Sequence, residues 1–450
     1  MFTAAVNTII TAELAAKYIG IHKNKMTGRL EKLRRYYDGH HSVLQREKGS
    51  GLANNKVVVN HASYIADISA GYLAGTPCTY KSKHDITKMT DVLKRADSAT
   101  QDSDLALDLA IYGRAFELVY MNNDTEPEPR LAKLDPRNAF VVYDDTVRHD
   151  PLFGVTYYPI FNDSGNVEHY ACCLYTASYE QPFEMSSSLI FSQAQQPKEH
   201  HFGAVPLNEI YNNQNCQGDF EQVISLIDAY DLLMSDRVND KEQFVNALLL
   251  IKGAVLGDTD KERSETYRAV KNNGVLELPE GAEAAYLARQ FDESSVEILR
   301  SALKKDIHTI SKVPDMSDDN FGGNVSGVAM AYKLFGFELM TKTKERFFKE
   351  GLRYRLRLID HILSIRGQGT DTADIEIIMT RSLPANTTEL ADMVANLSGT
   401  VSLQTLLSQL PFVEDPQEEM KRIRKEKQDS AEYQQSLFSL RSDGDTVEGE

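Results

Sequence analysis

The chain has 450 residues, with 66 acidic against 49 basic side chains, a net charge of −17, and an apolar fraction of 42%. That apolar content builds a core and excludes wholesale disorder, while the length calls for several lobes. Four cysteines (78, 172, 173 and 216) make no C-x-x-C pair, so neither a disulfide scaffold nor a zinc ribbon is expected, and the compartment reads as reducing.

The first 20 residues lack a basic leader and carry Glu13, which argues against a secretion signal. No stretch approaches 18 uninterrupted apolar residues, so no spanning helix is expected. Charge is uneven. Residues 1–60 hold ten Lys/Arg and four Asp/Glu, 10 − 4 = +6, leaving −17 − 6 = −23 for the other 390. A body that acidic does not clamp duplex DNA through counterion release.

Apolar spacing predicts a helix over 11–37, stopped by Asp38-Gly39. A polar segment follows, with a loop at Lys48-Gly49-Ser50-Gly51. Helices are expected over 60–74, ended by Gly75-Thr76-Pro77, then over 85–96 and 101–112. Between 114 and 185 the pattern becomes β-rich, with runs at 116–120, 139–143, 154–160 and 168–175 separated by turn clusters. A small, mostly antiparallel sheet is the reading, and 186–218 reads as irregular with room for one strand.

Residues 219–242 carry an apolar helical stripe of Phe220, Val223, Ile224, Ile227, Tyr230 and Met234. The other positions hold seven acids against Arg237 and Lys241, a net of 2 − 7 = −5. On their own these acids read as a solvated face. A compact insert follows over 243–292: strand 247–255, helix 260–271, strand 275–278, and an extended run 284–291. A second amphipathic helix spans 293–313, with Val296, Leu299, Leu303, Ile307 and Ile310 on its stripe. The segment from Pro314 to Gly327 is a loop by composition. A long helix is expected over about 328–366 with a kink at Gly336, then a strand at 375–379 and short helices at 387–397, 402–409 and 415–428. The tail ends in four acids without a base.

No enzyme motif survives inspection. Gly322-Gly323-Asn324-Val325-Ser326-Gly327 lacks the lysine of a phosphate loop and places its serine one position late for a nucleophile elbow. A calcium loop starting at Asp315 would put Asn320 where glycine is needed and Ser326 where glutamate is needed. The histidine pairs His40-His41 and His200-His201 cannot both face one metal, and no H-E-x-x-H exists. No catalytic residue, cofactor site or metal site is assigned. A scaffold fits better than an enzyme. The other classes considered are a metal-dependent enzyme acting on DNA, which needs converging carboxylates, and a minor structural protein without a channel.

Three stretches carry a resemblance. The first is Arg34-Arg35-Tyr36-Tyr37-Asp38-Gly39-His40-His41, followed by Asn54 to Asn60 and by Gly71-Tyr72-Leu73-Ala74-Gly75-Thr76-Pro77-Cys78-Thr79-Tyr80. The second is the helix, insert and helix of 219–313. The third is Pro314 to Phe321 with the glycine-rich run behind it. In that order, over about residues 30–425, the chain resembles the portal proteins of tailed bacteriophages, in particular siphophages of Gram-positive bacteria.

The resemblance implies a mainly helical α+β fold: a wing (1–218), a stem helix (219–242), a clip (243–292), a second stem helix (293–314), a tunnel loop (315–327), a long wing helix and strand (328–380), a crown (381–430) and a disordered acidic tail (431–450). It implies a dodecameric ring at one capsid vertex, through which double-stranded DNA enters during packaging and leaves during ejection. The implied partners are the terminase large subunit, a head-completion protein, and the major capsid and scaffolding proteins. The implied location is the virion, with a host-cytoplasmic stage during assembly. The tunnel-loop candidates are Asp315, Asp318, Asp319, Asn320, Gly322, Gly323 and Asn324. The candidates facing the channel from the stem are Asp228, Asp231, Asp236, Asp240, Lys304, Lys305 and Lys312.

Overall fold

The computed structural model describes all residues except 50–51, 123–124, 246–247, 254–258, 274–279, 288–292, 318–326, 382–386, 409, 411–412, 414–415 and 443–450. The chain divides into two compact units. One comprises Met1–Ser317 with Lys333–Ser382, the other Asp318–Tyr332 with Leu383–Glu450.

The first unit opens with strand β1 (Phe2–Ala4) and helix α1 (Ala12–His22), which Thr11 caps by accepting from the Leu14 amide at 3.2 Å. A five-residue π-helical stretch, Lys23–Thr27, joins α1 to α2 (Gly28–Tyr37), so the single helix expected over 11–37 is two helices in one run. Helix α3 (His61–Ala74) begins where Asn60 caps the Ser63 amide. Strand β2 (Thr79–Lys81), α4 (Thr87–Arg95) and α5 (Ser98–Tyr112) follow. Helix α5 stops at Gly113, whose φ is +79°; a Cβ there would sit 2.2 Å from the Cys216 carbonyl oxygen, so only glycine fits.

Nine strands follow: β3 (Arg114–Met121), β4 (Pro129–Leu134), β5 (Ala139–Asp144), β6 (Pro151–Phe161), β7 (Val167–Tyr175), β8 (Tyr179–Ser186), β9 (Phe191–Ala194), β10 (Lys198–Glu199) and β11 (Leu207–Tyr211). They form two sheets rather than one. The larger runs β1-β5-β6-β7-β8-β10 with β9 on β8, and the smaller runs β11-β3-β4. Strand β5 shows how they stack. Phe140 and Val142 join the α1 side with Phe153, Val155 and Leu174, while Ala139, Val141 and Tyr143 pack with Phe116, Val205 and Leu207. All six β5 residues are buried, because the period-2 alternation of a strand serves two cores at once.

Helix α6 (Ile224–Val245) leads to the insert of β12 (Leu248–Lys252), α7 (Asp260–Asn273) and β13 (Glu283–Leu287), with β12 and β13 paired antiparallel. Helix α8 (Glu293–Ser311) returns alongside α6. The expected strand at 275–278 lies outside the described residues. Helix α9 (Gly327–Ile365) has 39 residues, about 58 Å at 1.5 Å per residue. In the first unit its Phe348, Leu352, Leu356 and Ile359 fill a core with Leu73, Val92, Leu105 and Leu109. Strand β14 (Glu376–Ile378) pairs with β2.

The second unit carries α10 (Thr387–Leu397), α11 (Leu403–Leu407) and α12 (Pro416–Ser442). The helix expected to end at 428 runs to Ser442, so the tail expected as disordered from 431 is helical over its first twelve residues. The fold is a mixed α+β one in which helices predominate.

Candidate functional site

Helix α6 is acidic, and its acids are not a solvated face. The N-terminal segment lies along it and answers them in turn. Arg29 makes a forked pair with Glu221 at 2.6 Å through both Nε and Nη2. Asp228 accepts from Tyr36 Oη at 2.8 Å and Ser42 Oγ at 2.5 Å. Asp236 accepts from Arg46 at 2.7 Å and Lys48 at 3.0 Å. Asn55 donates its amide to Asn239 and its side chain to Glu242. The chain then doubles back, and the Val57 and Val59 amides donate to Ser235 and Asp231.

Asp231 sits at the centre of this seam with no exposed surface, 2.5 Å from His41 Nδ1. His41 Nε2 lies 2.9 Å from the Tyr36 carbonyl oxygen. Both ring nitrogens face acceptors, so both carry protons and the ring is an imidazolium. Burial opposes that charge, but the Asp231 carboxylate and the Tyr36 carbonyl outweigh it and raise the His41 pKa.

Three of the stem acids expected to face the channel thus have partners within the chain. Asp231 is inside the chain, and Asp228 and Asp236 are spent on Tyr36, Ser42, Arg46 and Lys48. The reason is charge matching within one chain: the +6 segment covers the −5 helix. Asp240 is half-exposed and carries no ion pair or hydrogen bond among the described residues.

Helices α6 and α8 are tied by charge along one edge. Arg237 reaches Glu293 at 2.6 Å and Glu297 at 3.1 Å, Lys241 reaches Glu293 at 2.6 Å, and Arg300 donates to Tyr230 Oη at 3.1 Å. The apolar stripe expected on α8 is only partly used. Ile307 is fully buried, whereas Ile298 is 71% exposed, Leu299 50% and Ile310 46%.

The segment after α8 is held at three points. Lys304 Nζ lies 2.5 Å from Asp315 and 3.2 Å from Ser317 Oγ. Tyr64 Oη donates to the Pro314 carbonyl at 3.2 Å and accepts from the Met316 amide at 2.7 Å. His308 Nδ1 donates to the Val313 carbonyl at 2.9 Å. Burial raises the Asp315 pKa, but Lys304 and two bonds from Ser317 more than offset this and hold it at about 2. Asp315 is therefore a fixed anchor at the end of α8, not a free acid. Lys304 is spent on it, while Lys305 and Lys312 are exposed. Asp318, Asp319, Asn320, Gly322, Gly323 and Asn324 lie outside the described residues.

Tyr64, His41, Arg46 and Lys48 were missed from sequence. The opposed charges of residues 1–60 and 219–242 were the available signal. Helix α9 is pinned nearby: Lys344, 2% exposed, donates to Asp219 at 2.6 Å and to Ser69 at 2.8 Å.

A family model described as phage portal protein, SPP1 Gp6-like, matches residues 16–433. The chain is 25% identical over 439 residues to the portal protein of Bacillus phage SPP1, covering 93% of this chain and 85% of that one. It is 23% identical over 404 residues to the portal protein of Clostridium phage phiCD119, covering 86% and 88%. A solved virion of a native gene transfer agent particle contains a chain with a TM-score of 0.47 at 13% identity, covering 85% of this chain and 93% of that one. The neck of an empty particle of that kind, computed with C6 symmetry, gives 0.45 at 13% identity, covering 78% and 90%.

Proposed function

Because this chain belongs to the phage portal proteins of the SPP1 Gp6-like family, a structural and not an enzymatic family, we propose that twelve copies close into a ring at the unique capsid vertex. Double-stranded DNA passes through the ring during packaging and ejection. The observation that carries the ring is the open apolar surface of α8. Ile298, Leu299 and Ile310 sit on a well-tied helix and are left largely or half exposed in one chain. A head-to-tail neighbour covers such a surface in a closed ring.

The stem then works as a rigid strut. Its acids hold the N-terminal segment, and its second helix, through Lys304 and His308, holds the start of the tunnel loop together with Tyr64 of α3. Charge presented to DNA falls in the stem to Asp240, Lys305 and Lys312, which have no ion pair among the described residues, and in the loop to Asp318 and Asp319 with Asn320, Gly322, Gly323 and Asn324. Sparse charge suits a channel, because every phosphate contact must be broken as DNA moves. The clip, 243–292, is the docking element for the terminase large subunit and later the head-completion protein. The ring assembles in the host cytoplasm with scaffolding and major capsid proteins. A metal-dependent nuclease reading loses Asp315, which is already neutralised by Lys304.

The test is electron microscopy of the purified chain with light-scattering mass. Rings with a central hole and a mass of about twelve times 50.5 kDa are the expected result. A monomer at every concentration and salt tried would overturn the reading.

A further inference from the structure

The acidic chain hides one dense basic element. Over 421–427, α12 reads Lys-Arg-Ile-Arg-Lys-Glu-Lys, five bases and one acid, 5 − 1 = +4 in a chain of −17. All six charged side chains are exposed. Only Arg422 is answered, by Glu418 at 3.4 Å and Glu419 at 3.6 Å. Lys421, Arg424, Lys425 and Lys427 have no carboxylate within bridging distance among the described residues.

The helix gains nothing from this placement. Lys421 meets Arg424 and Lys425 at i,i+3 and i,i+4, and Arg424 meets Lys427 at i,i+3. Each such like-charge pair costs an isolated helix about 0.2–0.5 kcal/mol. Nor does the helix dipole explain them, because α12 continues to Ser442 and its bases sit far from the C-terminal turn. Elsewhere this chain matches its dense charge internally, as α6 shows; here it does not.

Lys421, Arg424 and Lys425 fall within about 100° of one another around the axis. Met420 and Ile423 are half-buried in a helix that packs on α11, whose Leu406 and Leu407 are buried. The outer face is thus cationic, with the exposed polar neighbours Gln417 and Gln428 and no exposed apolar side chain over 416–430. A protein interface of ordinary composition has an apolar centre; a phosphate backbone asks only for spaced cations.

We propose that the Lys421–Arg424–Lys425 face of α12 binds the phosphate backbone of double-stranded DNA, without base readout, as a contact separate from the channel. This rests on the reading that the chain works around duplex DNA.

The experiment compares the full-length wild-type chain with Lys421→Gln/Arg424→Gln/Lys425→Gln and with a control of equal charge change, Lys83→Gln/Lys88→Gln/Lys94→Gln. Binding of a fluorescein-labelled 30-base-pair duplex is followed by anisotropy across a salt series. Glutamine keeps helix propensity, and circular dichroism with ring imaging checks that each variant folds and assembles. Three lost phosphate contacts lower the slope of log affinity against log salt by about 2.7 for each engaged subunit. Between about 50 and 200 mM salt the wild type should therefore lose about 40-fold more affinity than the α12 variant. The control should follow the wild type.

Equal slopes for wild type and α12 variant would overturn the proposal, as would an equal loss in the control, which would mean net charge alone. Rings that form but ignore the duplex at low salt overturn it while leaving the ring reading intact; absence of rings strikes that reading instead. Variant-sensitive binding of poly-glutamate in place of DNA would reassign the face to an acidic protein.

Discussion

His61 shows how much one buried ring decides. It lies edge-on to Tyr230 at 4.9 Å and to His308 at 5.6 Å, and its Nε2 has no hydrogen-bond partner among the described residues. Burial pulls its pKa to about 4; His308 and Lys304 add to that, and Asp231 and Asp315 oppose it. The ordinary value is 6.5, so below that pH the unfolded chain takes a proton that the folded chain refuses. Stability is present above pH 6.5 and is lost as pH falls toward 4, by up to about 3 kcal/mol. His22 behaves alike through burial, followed by Arg114, and also falls to about 4. His41 runs the other way: with its pKa raised, its contribution is present below pH 6.5 and is lost as pH rises through the folded value. His61→Phe keeps the ring contacts and removes one titration. Thermal melts from pH 7 to pH 4 should show the variant losing less stability than the wild type. Parallel curves would refute the assignment.

At the scale of elements, α6 holds two ion pairs of different depth. His41 and Asp231 are both fully buried, whereas the Asp236 side chain is 41% exposed between Arg46 and Lys48. Asp231→Asn leaves a buried imidazolium uncompensated and should cost about 3–5 kcal/mol. Asp236→Asn should cost about 0–1 kcal/mol. Urea unfolding of both variants decides, and equal losses would mean the seam does not act as drawn. The same helix shows what sequence can carry. The stripe of Phe220, Val223, Ile227 and Tyr230 announced a helix; all four are buried, with Phe220 and Val223 in the turn that leads into α6. Its acids were read as solvated because their partners stand some 170–190 residues away, and periodicity is local. Strand β1 escaped for the same reason: three residues pair in parallel with β5, with Phe2 beside Val142. Strand β8 escaped because Tyr-Glu-Gln-Pro-Phe-Glu-Met-Ser has few β-branched residues and takes its register from Ala171 to Leu174 of β7.

For the whole molecule, charge and apolar surface pull against each other. Residues 1–60 and 219–242 together come to +6 − 5 = +1, so the rest carries −17 − 1 = −18. Copies with that charge repel, and the repulsion weakens as salt shortens the Debye length. Association must then come from apolar area, and Ile298, Leu299 and Ile310 supply it at about 25 cal/mol per Å² covered. Assembly into the proposed ring should therefore strengthen with salt, opposite to the proposed DNA contact of α12, which should weaken with it. Ile298→Glu separates folding from assembly. At 71% exposure in the single chain, the residue contributes little to the fold, and the change should alter monomer stability by no more than about 0.5 kcal/mol. In a ring it would place an unpaired carboxylate against a neighbour, at a cost of several kcal/mol per interface unless it stays hydrated. Repeated around a closed ring, that cost is enough to leave monomers at concentrations where the wild type gives rings. Light-scattering mass on the two chains at matched salt reads the difference directly. Full rings from Ile298→Glu would move the subunit contact away from α8, and a variant that fails to fold would show that Ile298 supports the monomer after all.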